Sequence, residues 1–137
     1  MKRILVADDE ENIRVVLKTL LRRHGYEVEV ASGGHEALQK IDTFGPYVVL
    51  TDVRMPKMGG LDLLSVLRAK NNQATVIVMS AYGNVELAIE AMKAGAYDYI
   101  QKPFVPEDIK QKLARLAQER QARTRIRNLE GQVAESQ

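Results

Sequence analysis

The residues of this sequence that could do chemistry share one position, at the end of a short apolar segment. In chain order they are Asp8, Asp9, Asp52, Ser80 and Lys102. Three carboxylates brought together cannot all stay ionised without compensation, so either a pKa rises or a cation binds. Oxygen ligands on a surface open to water suit Mg²⁺, which keeps some of its own waters. One divalent ion and the lysine would balance the formal charge of the three carboxylates.

Phosphoryl transfer to a carboxylate is the chemistry that such a group favours. The sequence has no cysteine, and the group includes no histidine base and no glycine-rich phosphate loop. A carboxylate can act as a nucleophile and form an aspartyl phosphate, while a metal ion and a lysine neutralise charge on the transferring group. Asp52 alone would be interpreted as a turn residue, because aspartate is common in turns. The four companion residues favour the functional interpretation.

Parallel strands of one sheet would bring these residues together. The sequence predicts five strands that alternate with five helices, which is typical of a parallel sheet covered on both faces. The predicted strands are Arg3–Ala7, Glu27–Ala31, Tyr47–Thr51, Thr75–Met79 and Asp98–Ile100. The carboxyl ends of parallel strands share one rim, and open α/β sheets place their ligand sites there.

The predicted helices carry apolar residues at three- and four-residue spacing. In the first helix this set is Ile13, Val16, Leu17, Leu20 and Leu21. Asn84 is a favourable N-cap for the fourth helix, which we expect to turn Val85, Ala88, Ile89 and Met92 toward the core. Pro106 suits the first position of a long last helix.

Composition restricts the class of protein. A chain of 137 residues predicts one domain with some chain left over. Residues 1–106 hold 13 basic and 13 acidic side chains, and residues 107–137 hold 7 and 5, so nothing demands a nucleic-acid partner. The absence of cysteine fits a reducing cytoplasm. No apolar run approaches the roughly 20 residues of a membrane span.

Four segments together resemble a response-regulator receiver domain of two-component systems. They are VADDE, TDVRMPKMGG, MSAYG and DYIQKPF, and the likeness covers residues 1 to about 118. It implies a flavodoxin-like, CheY-like (βα)5 fold with sheet order 2-1-3-4-5 and, here, an extended C-terminal helix. The segment from Ser80 to Phe104 is most similar to receivers of the σ54-dependent activator group.

The resemblance implies a phosphoacceptor and a metal site. Asp52 would accept a phosphoryl group from a sensor histidine kinase in a Mg²⁺-dependent reaction. Asp9 would be the direct acidic metal ligand and Asp8 would assist, with Asp52 and the main-chain carbonyl of Arg54 completing the site. Lys102 would hold a phosphoryl oxygen.

Further roles concern the switch and the lifetime of the phosphoryl group. Ser80 resembles the hydroxyl that binds the phosphoryl group and switches, and Tyr99 resembles the switch aromatic. The resemblance also implies a cis peptide bond between Lys102 and Pro103. We expect Tyr82 to lie over the site and Arg54 to flank it, so that both tune dephosphorylation.

The C-terminal segment 119–137 is predicted to be a helical linker. Ala122, Ile126, Leu129 and Val133 recur at the 4-3-4 spacing of a coiled coil, which predicts a homodimer. A frayed, solvated tail is the alternative. Activators of the resembled group continue into an ATPase domain and a DNA-binding domain, and we expect neither within this chain, because no Walker-type loop or helix-turn-helix pattern occurs in it.

Other classes of function stay open at this point. A metal-dependent phosphohydrolase of the haloacid type would carry Asp-x-Asp after the first strand, whereas Asp8 and Asp9 are adjacent. A flavodoxin-like cofactor binder would need a Ser/Thr/Gly-rich phosphate loop there. A stand-alone signalling receiver without a DNA-binding output is the third alternative. We expect a regulatory domain that assists its own phosphorylation and dephosphorylation rather than an enzyme.

Overall fold

Five strands and five helices alternate along the chain, as the sequence predicted. The computed structural model describes residues 2–81 and 85–136, with side chains described through residue 122. The elements are β1 Arg3–Ala7, α1 Glu11–Arg23, β2 Glu27–Ala31, α2 Gly34–Phe44, β3 Val48–Asp52, α3 Gly60–Ala69, β4 Thr75–Ser80, α4 Val85–Lys93, β5 Asp98–Gln101 and α5 Pro106–Ser136. Two compact units divide the chain, Met1–Pro103 and Phe104–Gln137.

The sheet of the first unit is parallel throughout and has the order β2-β1-β3-β4-β5. This order confirms the prediction. In the register of neighbouring strands Ala7 lies beside Thr51 and Ser80 beside Gln101. The carboxyl ends of β1, β3, β4 and β5 therefore meet at one rim, which is where the predicted chemical residues stand.

Burial distinguishes the central strands from the edge. Every residue of β3 is buried, and β1 and β4 are buried except at their first residue, as expected for strands covered on both faces. In the edge strand β2, Val28 and Ala31 are buried while Glu27 and Glu29 are exposed. β3 runs from Val48 to Asp52 rather than from Tyr47 to Thr51, because Asp52 still pairs with Met79 of β4. Asp52 is thus the last residue of a buried strand.

The inward face of α4 differs from the prediction. Val85, Ile89 and Met92 are 40 to 58 % exposed, while Ala88 and Ala91 are buried. The small alanine side chains let the helix lie close to the sheet, and the larger residues consequently face away from the core. In α1 the prediction is wrong for Val16, which is half exposed, whereas Leu17 and Leu21 are buried.

The second unit consists mainly of α5, which starts at Pro106 as predicted. Ile109, Leu113 and Leu116 are buried, and Ala122 is exposed. The side chains of Ile126, Leu129 and Val133 lie outside the described residues. The division into a receiver of residues 1–118 and a linker of residues 119–137 therefore stays a prediction. None of the helices in the described ranges is long and apolar enough to cross a membrane.

Candidate functional site

Three carboxylates converge at the rim of the sheet. One carboxylate oxygen from each of Asp8, Asp9 and Asp52 lies within 4.8 Å of the other two. The fold brings them together because Asp8 and Asp9 directly follow β1, and β3, which ends at Asp52, is its neighbour in the sheet. The sequence prediction placed the same three residues in one group.

Asp8 is completely buried and every one of its polar groups has a partner. Its main-chain N–H donates to the carbonyl of Ala31 at 3.0 Å, and its Oδ1 accepts the N–H of Glu10 at 2.9 Å. Its main-chain carbonyl accepts Nη1 of Arg14 at 2.8 Å, and its Oδ2 accepts Nζ of Lys102 at 2.7 Å. Asp8 is therefore fixed in position by four neighbouring parts of the chain.

Lys102 joins two of the carboxylates across the sheet. Its Nζ lies 2.7 Å from Asp8 and 3.1 Å from Asp52, and its side chain is only 14 % exposed. Its main-chain N–H donates to the carbonyl of Ser80 at 2.7 Å, and its peptide bond to Pro103 is cis. Burial alone would lower the pKa of Lys102, but the hydrogen bonds and charges of Asp8 and Asp52 outweigh it and raise that pKa. The lysine therefore carries a positive charge into the acidic group.

Asp52 is buried at the end of β3, next to solvent-exposed Asp9. Burial raises the pKa of the Asp52 carboxyl above its ordinary value, and the charge of Asp8 adds to the rise. The hydrogen bond and charge of Lys102, together with the main-chain N–H of Arg54, act in the opposite direction without cancelling it. A cation placed beside these carboxylates would offset the cost of burying the charge.

The loop that follows Asp52 folds back onto it. The N–H of Arg54 lies 3.4 Å from Oδ1 of Asp52, and the Arg54 side chain is exposed. A Cβ on Gly60 would come within 2.4 Å of the carbonyl oxygen of Asp52, and one on Gly59 equally close to the carbonyl of Val53. Only glycine permits such a close approach of two backbone segments. The glycine pair therefore lets the loop close tightly over the end of β3.

The predicted switch residues lie at or near the same rim. Ser80 ends β4, the strand beside β3, and is buried. In the described part of the chain its hydroxyl has no hydrogen-bond partner. Tyr99 in β5 is 43 % exposed, so its ring faces outward in this structure. Tyr82, and with it the predicted cap Asn84, lies outside the described residues.

Two polar side chains at the site were not predicted from the sequence. Arg14 of α1 binds the carbonyl of Asp8, and the buried hydroxyl of Thr51 donates to the carbonyl of Asp52 at 3.0 Å. Sequence patterns did not identify them, because an arginine in a first helix and a threonine in a strand are common in structural roles. Their contribution is visible only once the fold brings each side chain to the main chain.

The donor set fits a hard divalent cation. Asp8, Asp9 and Asp52 offer carboxylate oxygens, the ligands that Mg²⁺ prefers, and Asp9 is exposed and so leaves the group open to water. The net negative charge is only partly neutralised by Lys102. These three residues are therefore suited to hold such an ion.

Comparisons with known proteins agree with this fold. The sequence matches the response regulator receiver domain family over residues 4–114, and the chain belongs to that family. The predicted likeness to receivers of the σ54-dependent activator group is confirmed as well. It is thus a regulatory receiver domain of two-component signalling.

Individual relatives cover the chain to different extents. The chain is 39 % identical over 129 residues to the regulatory protein AtoC of Escherichia coli, which covers 94 % of this chain and 28 % of AtoC. It is 38 % identical to the chemotaxis protein CheY of Thermotoga maritima, over 85 % of this chain and 98 % of CheY. A crystal structure of NtrX from Brucella abortus has a TM-score of 0.86 at 30 % identity, covering 94 % of this chain and 30 % of NtrX. The chain thus spans less than a third of the length of AtoC and of NtrX.

Proposed function

We propose that this receiver is a phosphorylation-controlled switch in which Asp52 accepts a phosphoryl group from a sensor histidine kinase. The observation that carries the proposal is the position of Asp52. Its carboxylate lies within 4.8 Å of the carboxylates of Asp8 and Asp9 and 3.1 Å from the ammonium of Lys102. Such an arrangement combines a nucleophile, a place for a divalent cation and a fixed positive charge.

Asp8, Asp9, Asp52 and the carbonyl of Arg54 would hold Mg²⁺. The ion, when bound, neutralises negative charge on the phosphoryl group that is transferred. An oxygen of Asp52 forms the new bond to phosphorus as the bond between phosphorus and the donor nitrogen breaks, and the donor keeps the electron pair of that bond. Lys102 neutralises charge from the other side, since a group attached to Asp52 falls within reach of its ammonium.

Ser80 and Tyr99 would convert phosphorylation into a change of shape. The hydroxyl of Ser80 is buried at the end of β4, and a phosphoryl group on the neighbouring strand end offers it charged acceptor oxygens. A Ser80 drawn toward that group would leave space behind it for the ring of Tyr99, which is exposed here. Crystal structures with and without beryllofluoride test this step, and a Tyr99 ring that keeps one orientation in both contradicts it.

Intact-mass measurement after incubation with acetyl phosphate and Mg²⁺ tests the proposed phosphorylation. We expect the mass of one phosphoryl group to be added to the wild-type chain and to Asp62→Asn, which changes an exposed acid outside the site. Asp52→Asn should gain nothing, because the amide is no nucleophile. Labelling of Asp52→Asn would refute the assignment, and steady release of phosphate without an adduct would instead support the phosphohydrolase.

The lifetime of the phosphoryl group and the output belong to the same proposal. Arg54 is exposed beside Asp52, and Tyr82 follows Ser80 by two residues, so both would limit the access of water to the phosphoryl group.

The length of AtoC and NtrX beyond the matched region suggests that such receivers act on further domains, here through a linker of residues 119–137. We propose that the linker pairs in a homodimer and carries the signal toward such an output.

A further inference from the structure

We infer that Arg14 is a positioning residue for the metal-binding end of β1, and this inference rests on the proposed Mg²⁺ site. Nη1 of Arg14 donates to the main-chain carbonyl of Asp8 at 2.8 Å. Arg14 lies in the first turn of α1, whereas Asp8 directly follows β1. The contact therefore ties the start of the helix to the end of the strand at the position where the acidic residues stand.

The carbonyl of Asp8 is the point through which Asp9 is oriented. That carbonyl and the N–H of Asp9 belong to the same planar peptide unit, which rotates as a whole. A hydrogen bond that fixes the oxygen consequently fixes the direction in which the chain continues to Asp9. Among the described residues, the Asp9 side chain has no hydrogen bond or ion pair of its own. The position of the Asp9 carboxylate relative to a bound cation thus depends on the backbone of Asp9.

The other contacts of Asp8 do not replace this one. Ala31 and Glu10 bind the main-chain N–H and Oδ1 of Asp8, which lie on the Asp8 side of the peptide unit. Lys102 binds Oδ2, and that contact would be shared with an incoming phosphoryl group. Among the described residues, only the bond from Arg14 holds the peptide between the two acids.

Titration with Mg²⁺ alone, in the absence of any phosphodonor, tests the inference. The amide resonance of Asp9 is followed by NMR at a temperature where every variant is folded. We expect Arg14→Met to weaken Mg²⁺ binding at least tenfold, since residues that orient metal ligands typically contribute 10- to 100-fold to affinity. In the metal-free protein the Asp9 amide resonance should also shift or broaden, which a loss of global stability alone would not cause.

Arg22→Met is the matched control. Arg22 belongs to the same helix and also donates to a strand carbonyl, that of Val28, at 3.4 Å. It lies eight residues, or about 12 Å, further along the helix. We expect it to change stability but not Mg²⁺ affinity. If Arg14→Met does not fold, Arg14→Lys is measured instead, and its shorter, single-headed side chain should weaken binding at least threefold.

Two outcomes would overturn the inference alone. Arg14 variants that bind Mg²⁺ as tightly as the wild-type chain would show that the bond to Asp8 does not position the site. Equal weakening by Arg14→Met and Arg22→Met would trace the effect to helix α1 as a whole. A wild-type chain that binds no Mg²⁺ and gains no phosphoryl group would overturn the proposed function together with this inference.

Discussion

At the scale of a single residue, the ionised carboxylate of Asp52 lowers the stability of the folded protein. Its pKa is raised in the folded chain, mainly by burial, so the folded state binds this proton more tightly than the unfolded state does. Ionised Asp52 therefore destabilises the metal-free protein at neutral pH. This destabilisation fades as the pH falls through the raised folded-state pKa and is gone below the unfolded value near 3.8.

Asp52→Asn should consequently be more stable than the wild-type chain when a chelator is present. Urea unfolding at pH 7 should give a higher midpoint for the variant, and the difference should shrink toward acidic pH, where the wild-type carboxyl is protonated. The reason is that the amide avoids the cost of burying a charge while Lys102 keeps its partner Asp8. A midpoint lower than that of the wild type at pH 7 would contradict the argument.

Lys57 stores strain beside the site. It has a φ of 69°, in the left-handed region that side chains with a Cβ rarely adopt. We expect Lys57→Gly to raise the free energy of unfolding by about 1 kcal/mol. The left-handed conformation costs roughly 1–2 kcal/mol in other residues, and the greater unfolded-state entropy of glycine offsets only part of the gain from removing that cost. Lys57→Ala removes the same charge but keeps the strain, and urea unfolding that gave both variants equal stability would rule this out.

Among elements, helix α2 is coupled to the loop that follows Asp52. Gly34 is buried at the start of α2, and a Cβ there would lie 2.5 Å from Cγ and 2.7 Å from the main-chain oxygen of Met58. Met58 belongs to the same loop as Arg54, whose carbonyl is a proposed metal ligand. The short distance between Gly34 and Met58 therefore restricts the position of the loop.

Gly34→Ala tests that coupling. Helix propensity alone predicts a gain of about 1 kcal/mol for alanine. We expect a loss of stability instead, together with weaker Mg²⁺ binding, because the Met58 backbone must move. Gly33→Ser is the control, since a Cβ at Gly33 meets nothing within 4 Å and serine is a favourable N-cap. Gains of stability in both variants, with Mg²⁺ affinity unchanged, would show that the contact yields without cost.

The elements also show what the sequence could and could not predict. The order of the strands in the sheet came from the family resemblance. The five strands themselves followed from apolar runs that end in turn or polar residues, and their parallel arrangement placed Asp8, Asp52 and Lys102 at one rim. For α4, periodicity predicted one inward face that included both Ala88 and Ile89, and of these only Ala88 is buried. Small alanine side chains allow a closer approach to the sheet, which the apolar spacing alone does not reveal. The bonds from Arg14 and Thr51 to main-chain carbonyls depend on tertiary contact, which no local pattern contains.

For the whole molecule, the edge of the sheet at β2 is unsuited to assembly. Arg22 and Lys40 donate to the carbonyls of Val28 and Val30 on this strand. Cationic side chains at an edge strand disfavour the addition of another strand. Pairing of two copies through the tail is consistent with this arrangement.

We expect the full chain to be dimeric and to dissociate when residues after Leu116 are removed. Asp at both Ile126 and Leu129 should have the same effect, because it places charge in the predicted seam. Gln118→Asp with Gln121→Asp adds equal charge at exposed positions of α5 and should leave the dimer intact. Sedimentation over a concentration series measures the association. If the full chain stays monomeric at high micromolar concentration, phosphorylated or not, the predicted dimer is wrong. The segment 119–137 would then be interpreted as a frayed, solvated tail.

Asp8 and Lys102 are in contact although 94 positions separate them along the chain. During synthesis, a ribosome that has passed Asp52 has already produced all three carboxylates, but the lysine that completes the site is made nearly last in this unit. A product released early, or cut by a protease ahead of Lys102, would lack the ammonium that the proposed reaction uses. Under the proposed function, such fragments would not be phosphorylated on Asp52, and only chains that extend past Lys102 would carry the signal.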